Sequence, residues 1–384
     1  MEKFEYDICI IGAGIIGASV ARELSKYKLN IIVLESNPSY AMETSEGNSG
    51  LIHGGFDAKT GKLNASLNIL GKERYNDWFR ELDFSHKNIN SLVLAFNDNE
   101  VEHLNILYNR GIDNGLNSKE MQIINQNKIL EMEPNINKDV KKALLCNSSV
   151  VIDPVELTGV LLKNAIRNGV KVKFNSKVTH ISKSEDRFEV SFNEETVSAK
   201  RVINCAGHYA DVISKMAGFD DFTLSTRRGE YLVLEKSVNN NVNNVLFMVP
   251  TIHGKGVLVA PTLKGKILVG PTAEENVPKE ETRVITPEKE QEIIKIGKQI
   301  LPNLDIKLTS LRFSGSRPIY LKTDDFYINY ASKDKNFINI AGIKSPGISC
   351  APSIADYVIN LLKPFLKMEI NPNYQPNEKN IFYK

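Results

Sequence analysis

The apolar positions of the chain fall into two recurring patterns. One is a short unbroken run rich in β-branched residues, as at 6–11 (YDICII) and 30–34 (NIIVL). Such runs predict strands buried on both faces. The other pattern spaces apolar residues three or four apart, as Val20, Leu24 and Tyr27 do within 18–27, and predicts helix. By the same signs helices are expected over 63–82, 99–110 (stopping at Gly111), 118–125, 155–168, 287–300 and 351–366. The helix at 155–168 follows Asp153-Pro154 and is closed by Gly169, a helix-ending glycine. Further strands are expected at 170–174, 178–182, 188–192, 201–205, 230–234, 256–260, 266–269 and 337–341.

Strand–helix units of one kind recur at the N-terminus, around 150–220 and again at the C-terminus. A helical segment and a mostly strand-like segment separate them. That order predicts an α/β protein with a parallel-sheet domain in discontinuous pieces: 1–84, 150–220 and 318–384. Inserted in it is a second domain, 85–149 and 221–317, built on a mostly antiparallel sheet. Length agrees, because 384 residues at about 150 per domain suggest two or three domains.

Composition narrows the partners. Lys and Arg total 48 against 46 Asp and Glu, a formal charge of +2. No strong cationic field of the kind that binds nucleic acid or anionic lipid is expected. No apolar run reaches the roughly 18 residues that span a bilayer, and the acidic start Met1-Glu2-Lys3-Phe4-Glu5 is unlike a secretory leader. Cys9, Cys146, Cys205 and Cys350 form neither a Cys-x-x-Cys pair nor a zinc spacing. A disulfide scaffold, a metal site and an iron–sulfur cluster are not expected, and a reducing cytoplasm is the default compartment. A peripheral position on a membrane face is left open, as is oligomeric state.

The chemistry starts at Gly12-x-Gly14-x-x-Gly17. Alone such a triplet is weak; here it follows a strand, opens a helix and is followed by Glu35 at the tip of the next strand. Gly12 permits a tight turn, Gly14 lets backbone approach a pyrophosphate, and Gly17 lets helix pack on strand. The helix N-terminus offers N–H donors to phosphate, and Glu35 suits a ribose diol. This predicts a Rossmann-like dinucleotide site. The small-residue loop with Thr44, Ser45, Asn48, Ser49 and Gly50, and the tail Ala341-Gly342-Ile343-Lys344-Ser345-Pro346-Gly347-Ile348 before a helix, favour FAD over a nicotinamide. A flavin needs backbone beside its ring system and benefits from a nearby helix N-terminus.

These stretches carry a family likeness. The fingerprint, Glu43-Thr44-Ser45-x-x-Asn48-Ser49-Gly50-x-Ile52-His53-x-Gly55, Ile203-Asn204-Cys205-Ala206-Gly207 and Arg228-Gly229-Glu230-Tyr231 together resemble the D-amino-acid-oxidase-like flavoproteins. Within them the chain is most similar to the short FAD-dependent glycerol-3-phosphate oxidases of wall-less bacteria. The narrower signals are His208-Tyr209-Ala210-Asp211, the 247–256 stretch, Gly315-Ser316-Arg317-Pro318 and Lys344-Ser345-Pro346-Gly347. The likeness runs from residue 6 to about 365 and implies oxidation of sn-glycerol 3-phosphate to dihydroxyacetone phosphate, with O2 as acceptor giving H2O2. It also implies that Ile16, Leu51, Val178, Gly207, Gly342, Ile343 and Lys344 join the fingerprint residues around FAD.

The residues suit that chemistry. Oxidising a secondary alcohol needs a base, and His53 can take the hydroxyl proton near neutral pH. A lone histidine is more often a packing residue; the surrounding loop is what singles His53 out. A phosphate dianion needs fixed cations, for which Arg317 offers a planar fork and Lys255 a point charge between two glycines. Ser49 and Ser345 carry hydroxyls for the substrate's polar oxygens. Cys350 follows the tail motif, where some relatives attach flavin covalently, but at a different position; noncovalent FAD is therefore expected. His208 is expected to order its loop. A 2-hydroxy acid or an amino acid as substrate, a quinone as acceptor, and a nucleotide-binding scaffold without redox activity remain as alternatives, since a carboxylate would also use Arg317.

Overall fold

The structure is a computed structural model and describes residues 4–249 and 256–380. Lys255 and His253 therefore lie outside the described residues. Phe4–Ile11 forms the central strand of an eight-stranded sheet. It pairs in parallel with Ile31–Leu34 on one side and Glu195–Asn204 on the other. Lys171–Lys173 and Asp334–Ala341 extend the parallel core outward, and Tyr327–Ala331 closes one edge antiparallel. The hairpin Val178–Ser184 and Arg187–Phe192 lies against Glu195–Asn204. Ile8, Cys9, Ile10 and Ile31 to Val33 have no exposed surface, as expected where helices cover a parallel sheet.

Helices Ile15–Leu24, Pro154–Arg167 and Gly347–Leu362 cover one face, and Leu63–Glu81 packs on them. Asp153 caps the second of these, its side chain accepting from Val155 and Glu156 N–H, with Pro154 in the first turn. Gly71 on Leu63–Glu81 permits close packing: a Cβ there would lie 2.0 Å from Ser349 O.

The other sheet has ten strands. Towards one side of it His86–Ala95 pairs with Lys142–Ile152, and its longest ladder pairs Leu224–Leu234 with Thr309–Tyr320. All its pairings are antiparallel except Val245–Met248 beside His86–Ala95. Helices Asp98–Asp113 and Pro287–Ile300 pack on it. The two-residue strand Leu51–Ile52 joins this sheet from within the small-residue loop, which ties that loop to both halves. Gly315 fixes the contact: a Cβ there would lie 1.9 Å from Gly47 O.

Several expectations need correction. Residues 118–125 are not a helix; Met121–Asn125 is a strand on Lys142–Ile152, and the helix Gln126–Met132 begins after it, with Asn125 as its cap. The helix Asp98–Asp113 runs through Gly111, which is a packing glycine: its Cβ would meet Met121 Cε at 2.4 Å. The last helix starts at Gly347 and ends at Leu362. Strands His86–Ala95, Lys142–Ile152, Val245–Met248, Thr309–Tyr320 and Tyr327–Ala331 were not anticipated from the apolar pattern. Among the described residues no helix is long and apolar enough to cross a membrane.

Candidate active site

One cavity of about 750 Å³ runs from the fingerprint turn to the face of the ten-stranded sheet. At its nucleotide end, Gly12, Gly14 and Ile16 form the wall where the first strand turns into its helix. Gly12 and Gly14 have no room for side chains: a Cβ at Gly12 would lie 2.5 Å from Cys205 O, and one at Gly14 would lie 3.0 Å from Ser45 Oγ. Gly17 does not line the cavity. Its Cβ would come 2.0 Å from Gly12 O, so it holds helix against turn.

Glu35 stands at the strand tip, 7% exposed. Its carboxylate accepts from Ala13 N–H (2.7 Å) and from Asn37 N–H and Nδ2 (2.8 and 2.9 Å). Ser45 Oγ accepts from Ile15 N–H at 2.8 Å, which joins the small-residue loop to the helix N-terminus. Thr44, Ser49, Leu51, Val178, Gly207, Gly342, Ile343 and Lys344 also line the cavity. Gly50 does not; its φ of +61° and the approach of Ile152 O, 2.4 Å from a built Cβ, give it a turning role. The Lys344 ammonium pairs with Asp324, while burial pulls its pKa down.

At the other end the cavity brings His53, Ser345 and Arg317 together. His53 Nε2 lies 3.4 Å from Ser345 Oγ, and its backbone N–H donates to Ser349 Oγ at 2.8 Å. The Arg317 guanidinium donates to Thr272 O at 3.0 Å and lies where a Cβ on Gly229 would clash, at 2.4 Å. Burial lowers the Arg317 pKa, and the Tyr231 hydroxyl acts the other way; the group stays cationic. Arg227, directly opposite Arg317 across the ladder, lines the cavity too and pairs with Glu275 at 2.5 Å. His208 is 2% exposed, its Nδ1 3.5 Å from Thr44 Oγ1. Burial, with Lys279 nearby, takes its pKa down to about 4, so it is neutral.

Some of the lining went unrecognised in the sequence. Ser176 and Lys177 border the Glu35 end, while Asp57 and Thr272 border the His53 end. Ser349 supports His53 from the last helix. Only Ser349 had a signal, its nearness to the Lys344-Ser345-Pro346-Gly347 motif.

A long cavity with a side-chain-free fingerprint turn at one end and a carboxylate at the ribose position fits FAD. The FAD dependent oxidoreductase family profile matches residues 7–361, and the chain belongs to that family. It is 44% identical to the glycerol 3-phosphate oxidase of Mycoplasma genitalium, over 96% of this chain and 98% of that protein. It is 41% identical to the glycerol 3-phosphate dehydrogenase of Caloramator mitchellensis, over 98% of this chain and 78% of that one. The FAD-bound, dithionite-reduced L-alpha-glycerophosphate oxidase of Mycoplasma pneumoniae superimposes with a TM-score of 0.95 at 41% identity, covering 99% of both chains. Glycine oxidase from Geobacillus kaustophilus, at 18% identity, 97% and 99% coverage and a TM-score of 0.83, shares the fold.

Proposed function

We propose that the protein oxidises sn-glycerol 3-phosphate to dihydroxyacetone phosphate with O2 as acceptor, releasing H2O2. The observation that carries this reading is the convergence of His53, Ser345 and Arg317 on one cavity that continues to the dinucleotide cradle. The near full-length likeness to glycerol 3-phosphate oxidases supports the choice of substrate. Bound FAD supplies two-electron uptake from the substrate's C2–H and delivery of those electrons to O2.

The chain's own residues do the rest. His53 takes the C2 hydroxyl proton, with Ser345 beside its Nε2 and Ser349 holding its backbone. Arg317 faces the phosphate with its planar fork, and Lys255 adds a second cation. Ser49 and Ser345 bind the substrate's polar oxygens. Gly12, Gly14, Ile16, Thr44, Ser45, Ser49, Leu51, Val178, Gly207, Gly342, Ile343 and Lys344 hold the FAD, with Glu35 on its ribose. The FAD is noncovalent: Cys350 does not line the cavity, and its thiol is buried against Asn64 O at 3.7 Å. The FAD-binding domain comprises 1–84, 150–220 and 318–384; the substrate domain comprises 85–149 and 221–317. Four unpaired, buried cysteines support a reducing cytoplasm.

The test is anaerobic addition of glycerol 3-phosphate to the yellow protein, followed by O2. Bleaching, then recovery of colour with peroxide, is expected. Faster peroxide release with 2-hydroxyglutarate or glycine would move the assignment to those substrates. Bleaching that O2 does not reverse, but a quinone does, would replace O2 as acceptor.

A further inference from the structure

Side chains alternate between the two faces of a strand. The ladder of Leu224–Leu234 with Thr309–Tyr320 therefore sets three cross-strand pairs on one face: Arg227 with Arg317, Gly229 with Gly315, and Tyr231 with Phe313. That face is a wall of the cavity. Arg227, Tyr231 and Arg317 line the cavity, and so does Gly47, which packs on Gly315. Arg228 and Glu230 fall on the other face, where they pair with each other and Arg228 also pairs with Glu274. Because position 229 is a glycine, the Arg317 guanidinium lies over it, with Nη2 2.4 Å from where a Cβ would be.

Tyr231 is held firmly on this wall. It is 4% exposed, its ring stacks on Phe313 with centroids 4.6 Å apart, and a Cβ on Gly270 would lie 2.9 Å from its Cδ1. Its hydroxyl lies beside the Arg317 guanidinium as a hydrogen-bond partner, and burial raises its pKa, so the phenol keeps its proton at neutral pH. A guanidinium only donates. The phenol oxygen is therefore the acceptor in this pair, and its own O–H is left over. Arg317 is the side-chain partner of this hydroxyl among the described residues, and Arg317 cannot take that proton. The guanidinium in turn rests on a neutral carbonyl, Thr272 O at 3.0 Å. Thr272 is fixed on the same strand as Tyr231, since its Oγ1 accepts from Glu230 N–H at 3.0 Å and its N–H donates to Glu230 O at 3.2 Å.

We propose that Tyr231 is a further binding residue for the substrate's phosphate: its hydroxyl donates to one terminal oxygen, while the Arg317 fork that it braces takes the other two. The proposal rests on the reading of the substrate as glycerol 3-phosphate. A phosphate monoester dianion presents three terminal oxygens that only accept. The cavity wall supplies the matching set: a two-pronged cation and, beside it, one O–H with no acceptor among the protein's described groups. The hydroxyl keeps its proton throughout, so this contact binds and orients the substrate and takes no part in the oxidation.

Tyr231→Phe keeps the ring and its stack on Phe313 and removes only the hydroxyl. In anaerobic stopped flow with the FAD-loaded protein, the glycerol 3-phosphate concentration giving half-maximal bleaching should rise by about tenfold or more, the scale of one hydrogen bond to a charged group. The limiting bleaching rate and the FAD content should stay near the parental values. An unchanged half-saturation would overturn the proposal. A limiting rate that falls by as large a factor would also overturn it, since a general disturbance of the site would then account for the loss. Should Tyr231→Phe not fold, the parent decides. In a crystal of the dithionite-reduced protein, which cannot oxidise added glycerol 3-phosphate, a phosphate oxygen is expected about 2.5–3.0 Å from Tyr231 Oη. A phosphate seated out of its reach, or none, would sink the proposal. Failure of the functional reading shows differently, as a parent protein that glycerol 3-phosphate does not bleach at all.

Discussion

His53 is held by two serines, one in the tail motif and one just past it in the last helix: Ser349 Oγ accepts its backbone N–H, and Ser345 Oγ lies beside Nε2. The ring is therefore aimed before substrate arrives. His53→Asn should retain FAD yet lose at least about 100-fold in flavin reduction, the usual scale of a general base; stopped-flow absorbance reads it directly. Arg317→Ala should raise the substrate dissociation constant well above any change in FAD affinity, as anaerobic titration would reveal. His208 yields a pH prediction. Burial holds its folded pKa at about 4, below the ordinary 6.5, so between those values the unfolded chain binds a proton that the folded chain refuses. Its contribution to stability is complete above about 6.5 and is lost as pH falls towards about 4. The amount is on the order of 3 kcal/mol. His208→Asn should flatten the acid limb of stability in urea titrations run across that window; an unchanged slope would show that His208 does not set it.

Among the elements, the first strand–helix–strand unit was readable because its burial is two-sided and local: each strand is an unbroken apolar run, and glycines mark the turn. Ser118 to Asn125 misled because Met121 and Ile124 are spaced as on a helix, whereas pairing with Lys142–Ile152 makes the segment a strand. His86–Ala95 begins with exposed polar residues and is buried only towards its end, so no single period marks it. Close packing of helices was also invisible in the sequence. Gly71 lies mid-helix, where alanine would ordinarily add about 0.4–1 kcal/mol of stability. Here the new Cβ would strike Ser349 O, and Ser349 carries His53. Gly71→Ala should instead cost about 1–3 kcal/mol, as overpacking does, and lower turnover. Urea midpoints and steady-state peroxide release measure the two effects; a stabilised, fully active variant would refute the linkage.

At the scale of the molecule, the cavity belongs to neither sheet alone. Glu35 and the glycine turn come from the parallel sheet, Arg317 and Tyr231 from the other, and the 43–55 loop reaches both. FAD in a site shared in this way should stabilise the two sheets together. We expect one thermal transition, rising with FAD concentration, worth about 2.7 kcal/mol at a hundredfold excess over the dissociation constant. Far-ultraviolet circular dichroism and flavin fluorescence should report the same midpoint; two separate midpoints would mean that the sheets unfold independently.

Local chemistry by itself determined a good deal. Gly12, Gly14, Gly17 and Glu35 specify a dinucleotide turn through contacts within one strand–helix–strand unit, and the interleaved order of such units announces the mixed α/β fold. Tertiary structure decided the rest. His53, Arg317 and Ser345 are far apart in the chain, and only the packing of loops between two sheets brings them to one cavity. Whether a polar side chain meets water, a partner or neither depends on what surrounds it in three dimensions, and no periodicity along the chain encodes that.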